Sequence, residues 1–433
     1  MKRKIFKELC RWKESESRKP LVLLGARQVG KTWIMKDFGR QEYERVAYVN
    51  CDEEPRMKDL LALDYDLDRI LLGLQAITGV KIEAGNTLVI LDEIQEIPRG
   101  LHCLKYFYEN APQYHVMVAG SLLGGTLGRG ENFPVGQVDL LHMYPMSFCE
   151  FLDAVGDESW NELLRSGDTR LIHGMGPKFI DLLRQYYFVG GMPEAVASYV
   201  SRKDLAEVRR VQSAILEAYR NDISKHTTAR ESMRIGQVLD SLPSQLAKEN
   251  KKFVYGAIRK GARATDFELA IQWLMDAGIV YKVKRVREVR MPLKFYEDLS
   301  AFKLFLLDCG LLACMVEAPA GQMLLGGDVF VEFKGAFTEQ FVLQQFKSLS
   351  LNPYYWSSEK TSAEIDFVIQ KGERVIPVEV KAEENVRSKS LSQYIKDNEG
   401  LKGLRISMRG YMDQGWMENI PLYGIEPFLE SHQ

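Results

Sequence analysis

The residues best placed for chemistry on a charged substrate are Gly25, Ala26, Arg27, Gln28, Val29, Gly30, Lys31 and Thr32. They fit the spacing G-x-x-x-x-G-K-[ST]. The two glycines permit backbone angles that a side chain would forbid, so consecutive amides can converge on phosphate oxygens. Lys31 is then placed to reach the β- and γ-phosphates of a triphosphate, and Thr32 to ligate Mg²⁺. A helix starting near Trp33 would add its N-terminal dipole to the same anion site. The competing reading of these residues is a glycine-rich strand-to-helix turn without a ligand.

Two further groups of charged residues complement this loop. Asp92 and Glu93 close an apolar run, Thr87 to Leu91, where one carboxylate can hold a Mg²⁺ shell and the next can polarise an attacking water. Far along the chain, Glu339, Asp366, Glu379 and Lys381 form a second set. Two carboxylates on adjacent strands can hold one divalent ion against a phosphodiester, and a lysine can orient a nucleophile or stabilise developing charge. Glu379 and Lys381 share a face because side chains alternate along a strand. The competing reading of that pair is a surface ion pair worth about 0.2–1 kcal/mol.

The elements that must position these groups are legible from hydrophobic patterning. Residues 3 to 13 read as an amphipathic helix with Ile5, Phe6, Leu9 and Trp12 on one face. Strands are expected at Leu21 to Leu24, Arg45 to Asn50, Leu88 to Leu91, Tyr114 to Ser121 and Val138 to Met143. Helices are expected at Asp59 to Leu74 and Ile94 to Asn110. Ser121 ends its strand as a polar residue able to contact a γ-phosphate or to close a turn. Arg129 lies in a glycine-rich loop, as a solvated arginine or as one that enters a neighbouring subunit's site, which would make the protein a homo-oligomer.

Residues 150 to 250 read as helix-rich, with a tight turn at Gly190 and Gly191. Residues 232 to 298 look like a winged helix, with Thr265 and Glu268 as a capping-box pattern and Gly278 as the helix stop. Its helix carries Asp266, Glu268 and Asp276, which would repel phosphates. The basic residues lie in the hairpin 282–294: Lys282, Lys284, Arg285, Arg287, Arg290 and Lys294. They suggest a backbone-contacting wing for DNA or RNA, or a solvated hairpin. In the last third a helix is expected at Phe337 to Phe346, and strands at Tyr354 to Trp356, Ala363 to Ile369 and Val375 to Lys381.

This constellation resembles the AAA-type P-loop ATPases. More narrowly, it is similar to bacterial and archaeal ATP-binding proteins that pair this module with a C-terminal domain of unknown function. The motifs that carry the resemblance are GARQVGKT, LVILDE, AGS, the GR at Gly128-Arg129, YPMSFCEF (Tyr144 to Phe151) and GGMPEAV (Gly190 to Val196). It implies ATP and Mg²⁺ as cofactors. Lys31 and Thr32 match the phosphate and magnesium residues, Asp92 and Glu93 the metal and water residues, and Ser121 the polar sensor. Arg129 matches by position only, and Leu122 stands where that family usually has a second serine or threonine. The later order of helix carboxylate, strand aspartate and Glu-x-Lys resembles a PD-(D/E)xK nuclease core, although Ile365 rather than proline precedes Asp366. The implied fold is α/β throughout. A P-loop AAA-type parallel sheet (1–155) leads to a helical and winged-helix region (156–300), then a restriction-endonuclease-like domain (301–433). The implied function is a Mg²⁺-dependent ATPase acting as a nucleotide-driven switch. Its last domain would either cleave nucleic acid with a metal ion or be catalytically silent and bind a partner.

Composition narrows the field. A net charge of −2 gives no overall attraction to nucleic acid, so any such binding must come from local patches. The six cysteines include no C-x-x-C pair, which argues against a zinc site or disulfide framework and fits a cytoplasmic protein. No apolar run approaches the length of a membrane span, and the N-terminus lacks the apolar core of a secretory signal.

Overall fold

The computed structural model describes residues 1–120, 134, 136–156, 158–248, 251–325, 328–382, 388–398 and 400–431. The chain divides into two compact units, residues 2–144 with 273–279, and residues 145–272 with 280–433.

The first unit is built on five strands: β1 (Leu21–Leu24), β2 (Arg45–Asn50), β3 (Thr87–Asp92), β4 (His115–Ala119) and β5 (Asp139–His142). Their order is β2-β3-β4-β1-β5, and every neighbouring pair is parallel. Strands β1, β3 and β4 are buried along their whole length, which is why they read as unbroken apolar runs rather than alternating ones. The N-terminal helix Ile5–Glu14 buries Leu9 and Trp12, and Phe6 meets Phe38 edge-on at 5.5 Å.

Two expected helices are each broken. The stretch 59–74 is split between Arg56–Leu63 and Leu67–Thr78. Asp66 caps the second of these by accepting from the amides of Asp68 and Arg69. The stretch 94–110 is a short 3₁₀ turn, Ile94–Glu96, followed by the helix Gly100–Asn110. Pro98 lies in the gap, where its missing N–H opposes helix continuation.

The second unit combines helices with an eight-stranded mixed sheet. Its strands are β6 (Val280–Val286), β7 (Glu297–Leu306), β8 (Tyr354–Ser357), β9 (Glu364–Lys371), β10 (Arg374–Val380), β11 (Gly403–Ser407), β12 (Met412–Asp413) and β13 (Met417–Pro421). The order is β12-β13-β11-β10-β9-β8-β6-β7. The basic hairpin is therefore not a free-standing wing. Strand β6 pairs in parallel with β8 through Arg285 and Val286, so the hairpin extends the same sheet that carries Asp366 and Glu379. Strand β7 also runs across the expected boundary between residues 300 and 301.

The motifs at Tyr144 to Phe151 and Gly190 to Val196 meet in a buried polar knot. Asp308 is fully buried and accepts from the Gly191 amide at 2.6 Å, the Leu311 amide at 2.9 Å and Gln344 Nε2 at 2.9 Å. The Met146 amide donates to the Gly191 carbonyl at 2.7 Å, and Tyr186 Oη donates to the Met146 carbonyl. A Cβ at residue 191 would sit 2.2 Å from the Met146 carbonyl oxygen, so only glycine allows these two segments to approach so closely. This gives both motifs a packing role.

Candidate functional sites

The phosphate loop follows β1 directly. Gly25 has φ +149°, Gln28 φ +65° and Gly30 φ +96°. A Cβ at Gly25 would lie 2.3 Å from the Met143 carbonyl oxygen, so this position needs glycine for space as well as for backbone angle. The helix Lys31–Glu42 starts at Gly30, and its first-turn amides lack partners within the helix. Arg3 braces the loop from the N-terminal side: it is buried and donates to the Val29 carbonyl at 3.0 Å and the Tyr144 carbonyl at 2.7 Å. Trp33, in the first turn of that helix, is exposed.

Lys31 is buried and folds back onto the loop, donating to the carbonyls of Gly25 at 2.7 Å and Ala26 at 2.9 Å. Burial pushes its ammonium down to about 8, against the pull of the Glu93 and Asp92 carboxylates. The site thus holds a desolvated cation that a polyphosphate would relieve.

Asp92 stands at the end of β3. Its Oδ2 accepts from Thr32 Oγ1 at 2.6 Å and Tyr48 Oη at 3.2 Å, and its Oδ1 from the Glu93 amide at 3.2 Å. Burial pushes its pKa up, only partly opposed by the Thr32 bond. The Thr32–Asp92 pair fits a Mg²⁺ site by donor chemistry, since a hydroxyl and a carboxylate are the oxygen ligands this ion prefers. Glu93 adopts φ +51°, in the left-handed region that a non-glycine residue enters at a cost, as residues at functional sites often do. Its Oε2 accepts from Gln95 Nε2 at 2.6 Å. Ser121 and Arg129 lie outside the described residues.

Sequence reasoning missed Tyr48. It sits on β2 with the Lys36 ammonium 3.4 Å from its ring centroid. The alternation of β2 does not distinguish Tyr48 from a packing tyrosine, and only the adjacency of β2 and β3 brings its hydroxyl to Asp92.

The second group gathers in the eight-stranded sheet. The helix Asp328–Ser348 carries Glu339, β9 carries Asp366 and β10 carries Glu379. Lys381 follows β10, and its Nζ lies 2.5 Å from Glu379 Oε1. Asp366 Oδ2 accepts from the Val380 amide at 2.7 Å. Burial, and then the charges of Glu339 and Glu379, raise the Asp366 carboxyl well above its usual range. Burial also raises Glu379, against the pull of Lys381. At Glu339 the penalty of burial is outweighed by Lys251 and Lys303, which hold that carboxyl low.

Lys251, Lys303 and Glu364 have no place in the expected set. Lys251 Nζ donates to Glu339 Oε1 at 2.6 Å. Lys303 is fully buried on β7, paired with Glu364 and 3.8 Å from Glu339 Oε2. Among the described residues no group of three His, Cys, Asp or Glu side chains is arranged to hold a metal ion. Each of Glu339, Glu364 and Glu379 already has a lysine.

Part of the basic hairpin is paired with acids. Lys284 pairs with Glu297 at 2.7 Å, Arg285 with Asp298 and with Glu359 at 3.1 Å, and Arg290 with Glu288 at 3.7 Å. Lys282 lies over the Phe302 ring.

Residues 17–152 match the family model described as an AAA domain. The N-terminal region is an AAA-type P-loop ATPase domain. Residues 180–322 match a domain of unknown function (DUF8612), and residues 334–425 another (DUF4143). No curated protein matches the chain. Among solved structures, the Walker-type ATPase of Pyrococcus abyssi is 14% identical, covering 72% of this chain and 95% of its own, with a TM-score of 0.44. The Aeropyrum pernix ORC1 protein, solved in complex with DNA, is 14% identical over 74% of this chain and 92% of its own, with a TM-score of 0.26. Cdc6p from Pyrobaculum aerophilum is 12% identical over 73% and 91%, with a TM-score of 0.25. No helix among the described residues is long and apolar enough to cross a membrane.

Proposed function

We propose that the AAA-type domain hydrolyses ATP in a Mg²⁺-dependent reaction that switches the protein between conformations. The contact that carries this reading is the 2.6 Å bond from Thr32 to Asp92, which joins the phosphate loop to the end of β3. The triphosphate would lie across residues 25 to 33. Lys31 would leave the Gly25 and Ala26 carbonyls for the β- and γ-phosphate oxygens. Thr32 and Asp92 would hold Mg²⁺, which when bound neutralises phosphate charge. Glu93 would orient and polarise the water that attacks in line. Ser121 is proposed as the polar sensor of the γ-phosphate, and Arg129 as a finger across a homo-oligomer interface. The buried free cysteines suit a reducing compartment, and we place the protein in the cytoplasm.

Glu93→Gln tests the proposal. It should keep ATP binding and lower turnover about 10²–10⁴-fold, the usual loss when a positioned base is removed. Unchanged turnover would overturn it.

For the C-terminal domain we favour the silent reading, in which it binds a protein or nucleic-acid partner without cutting. What supports it is the lysine on each of Glu339, Glu364 and Glu379. One observation favours metal-dependent cleavage instead: Glu339 Oε2 and Glu379 Oε2 are both buried and have no hydrogen-bond partner among the described residues. Plasmid incubated with Mg²⁺ or Mn²⁺ decides between them. Cleavage by the unaltered protein, lost in Glu379→Ala and Lys381→Ala, would establish a nuclease.

A further inference from the structure

The carboxylate cluster of the eight-stranded sheet bears a fully buried cation that the nuclease pattern does not contain. Lys303 extends from β7 among acidic groups contributed by two other elements. Its ammonium pairs with Glu364 of β9, lies 3.8 Å from Glu339 Oε2 and sits 4.8 Å from the Tyr355 ring centroid. Lys251 occupies the other oxygen of Glu339 at 2.6 Å, and Lys381 holds Glu379 Oε1 at 2.5 Å. Asp366 Oδ2 is taken by the Val380 amide. Glu339 therefore has Lys251 bonded to Oε1 and the Lys303 ammonium 3.8 Å from Oε2, a buried oxygen without a hydrogen-bond partner among the described residues, so a metal ion reaching Oε2 would meet the Lys303 charge.

The energetics run the same way. An ammonium with no exposed surface is tolerated only when paired, and stripping its partners leaves an uncompensated buried charge. A divalent ion binding Glu339 would have to displace Lys303 or share its carboxylates at close range, stranding one positive charge against another.

We propose that Lys303 takes the place of a divalent cation in this cluster, so that the unaltered protein holds no metal ion there. This rests on the non-cutting reading of the C-terminal domain. It has a consequence that reading alone does not give. Removing the ammonium while keeping the length and apolar stem of the side chain should free Glu339 and Glu364 to turn, with Asp366 and Glu379, onto a divalent ion that their arrangement in the unaltered protein does not hold.

The experiment uses the full-length protein without nucleotide, titrated with Mn²⁺ and followed by the electron paramagnetic resonance of the free ion. The unaltered protein and Glu379→Gln should take up the same amount of Mn²⁺. Lys303→Met should take up one more ion per chain, and the double variant Lys303→Met/Glu379→Gln should lose it. Uptake by the unaltered protein that Glu379→Gln abolishes would overturn the proposal, as would a folded Lys303→Met with no added ion. If Lys303→Met fails to fold, the comparison of the unaltered protein with Glu379→Gln still decides. Plasmid cleavage is read separately. Mn²⁺ uptake without cleavage sinks the role of Lys303 alone, whereas uptake with cleavage sinks the non-cutting reading too.

Discussion

Raising the pH from 7 to 9 should weaken nucleotide binding through Lys31. In the empty site burial pushes this ammonium down to about 8, well below the usual 10.5, with Glu93 and Asp92 offsetting part of the penalty. A group titrating near that value is about nine-tenths charged at pH 7 and about one-tenth charged at pH 9. A bound triphosphate favours the charged form, so binding must draw a proton from solvent wherever the empty site has lost one. If only the ammonium form binds, Kd rises about tenfold across this range, and about half a proton is taken up per nucleotide at pH 8. Isothermal titration calorimetry in two buffers of different ionisation enthalpy reads both quantities. Lys31→Met should bind weakly, with no proton uptake from this source. The reasoning fails if the unaltered protein binds with the same affinity at pH 7 and pH 9 and takes up no proton at pH 8.

Two other outcomes follow from single contacts. Tyr48→Phe removes one of two hydroxyl donors to Asp92 Oδ2. A lost hydrogen bond of about 0.5–1.5 kcal/mol should raise the Mg²⁺ concentration for half-maximal ATPase activity about 2–10-fold, with little change in thermal stability. Gly191→Ala forces a methyl group to within 2.2 Å of the Met146 carbonyl oxygen unless the backbone moves. It should destabilise the second unit by about 1–3 kcal/mol, read as a lower denaturation midpoint, because overpacking at a backbone contact has few ways to relax.

The phosphate loop was legible because its chemistry is local. Amides that converge on phosphate need glycines at fixed places, and residues 25 to 32 are contiguous. The same holds for Asp92 and Glu93, which close an apolar strand. The parallel sheet was legible in its buried strands, whose edges fell within two residues of those observed in every case. The helix breaks at Asp64 to Asp66 and at Ile97 to Arg99 were missed although Asp66 and Pro98 are visible stop signals. In both cases the apolar periodicity resumes on the far side and masks the interruption.

Contacts made across the fold were not legible. Arg3 reads as one charge in a basic N-terminus, yet its guanidinium braces the phosphate loop from 26 residues away in sequence. Lys303 reads as a lone charge in a strand that is otherwise apolar from Ala301 to Leu306. Its meaning depends on Glu339 and Glu364, which reach it only through the fold. The ion pairs of the basic hairpin are hidden in the sequence for a related reason. Lys284 and Arg285 look free until β7 brings Glu297 and Asp298 opposite them.

In the proposed reaction, residues 25 to 32 form a socket for a triphosphate whose charge Lys31 helps neutralise. Steady-state ATP turnover and equilibrium ATP binding by the unaltered protein and by Lys31→Ala test it most directly. The unaltered protein should show Mg²⁺-dependent turnover, and the variant weakened binding and no measurable turnover. Equal affinity and equal turnover in the two proteins would contradict it.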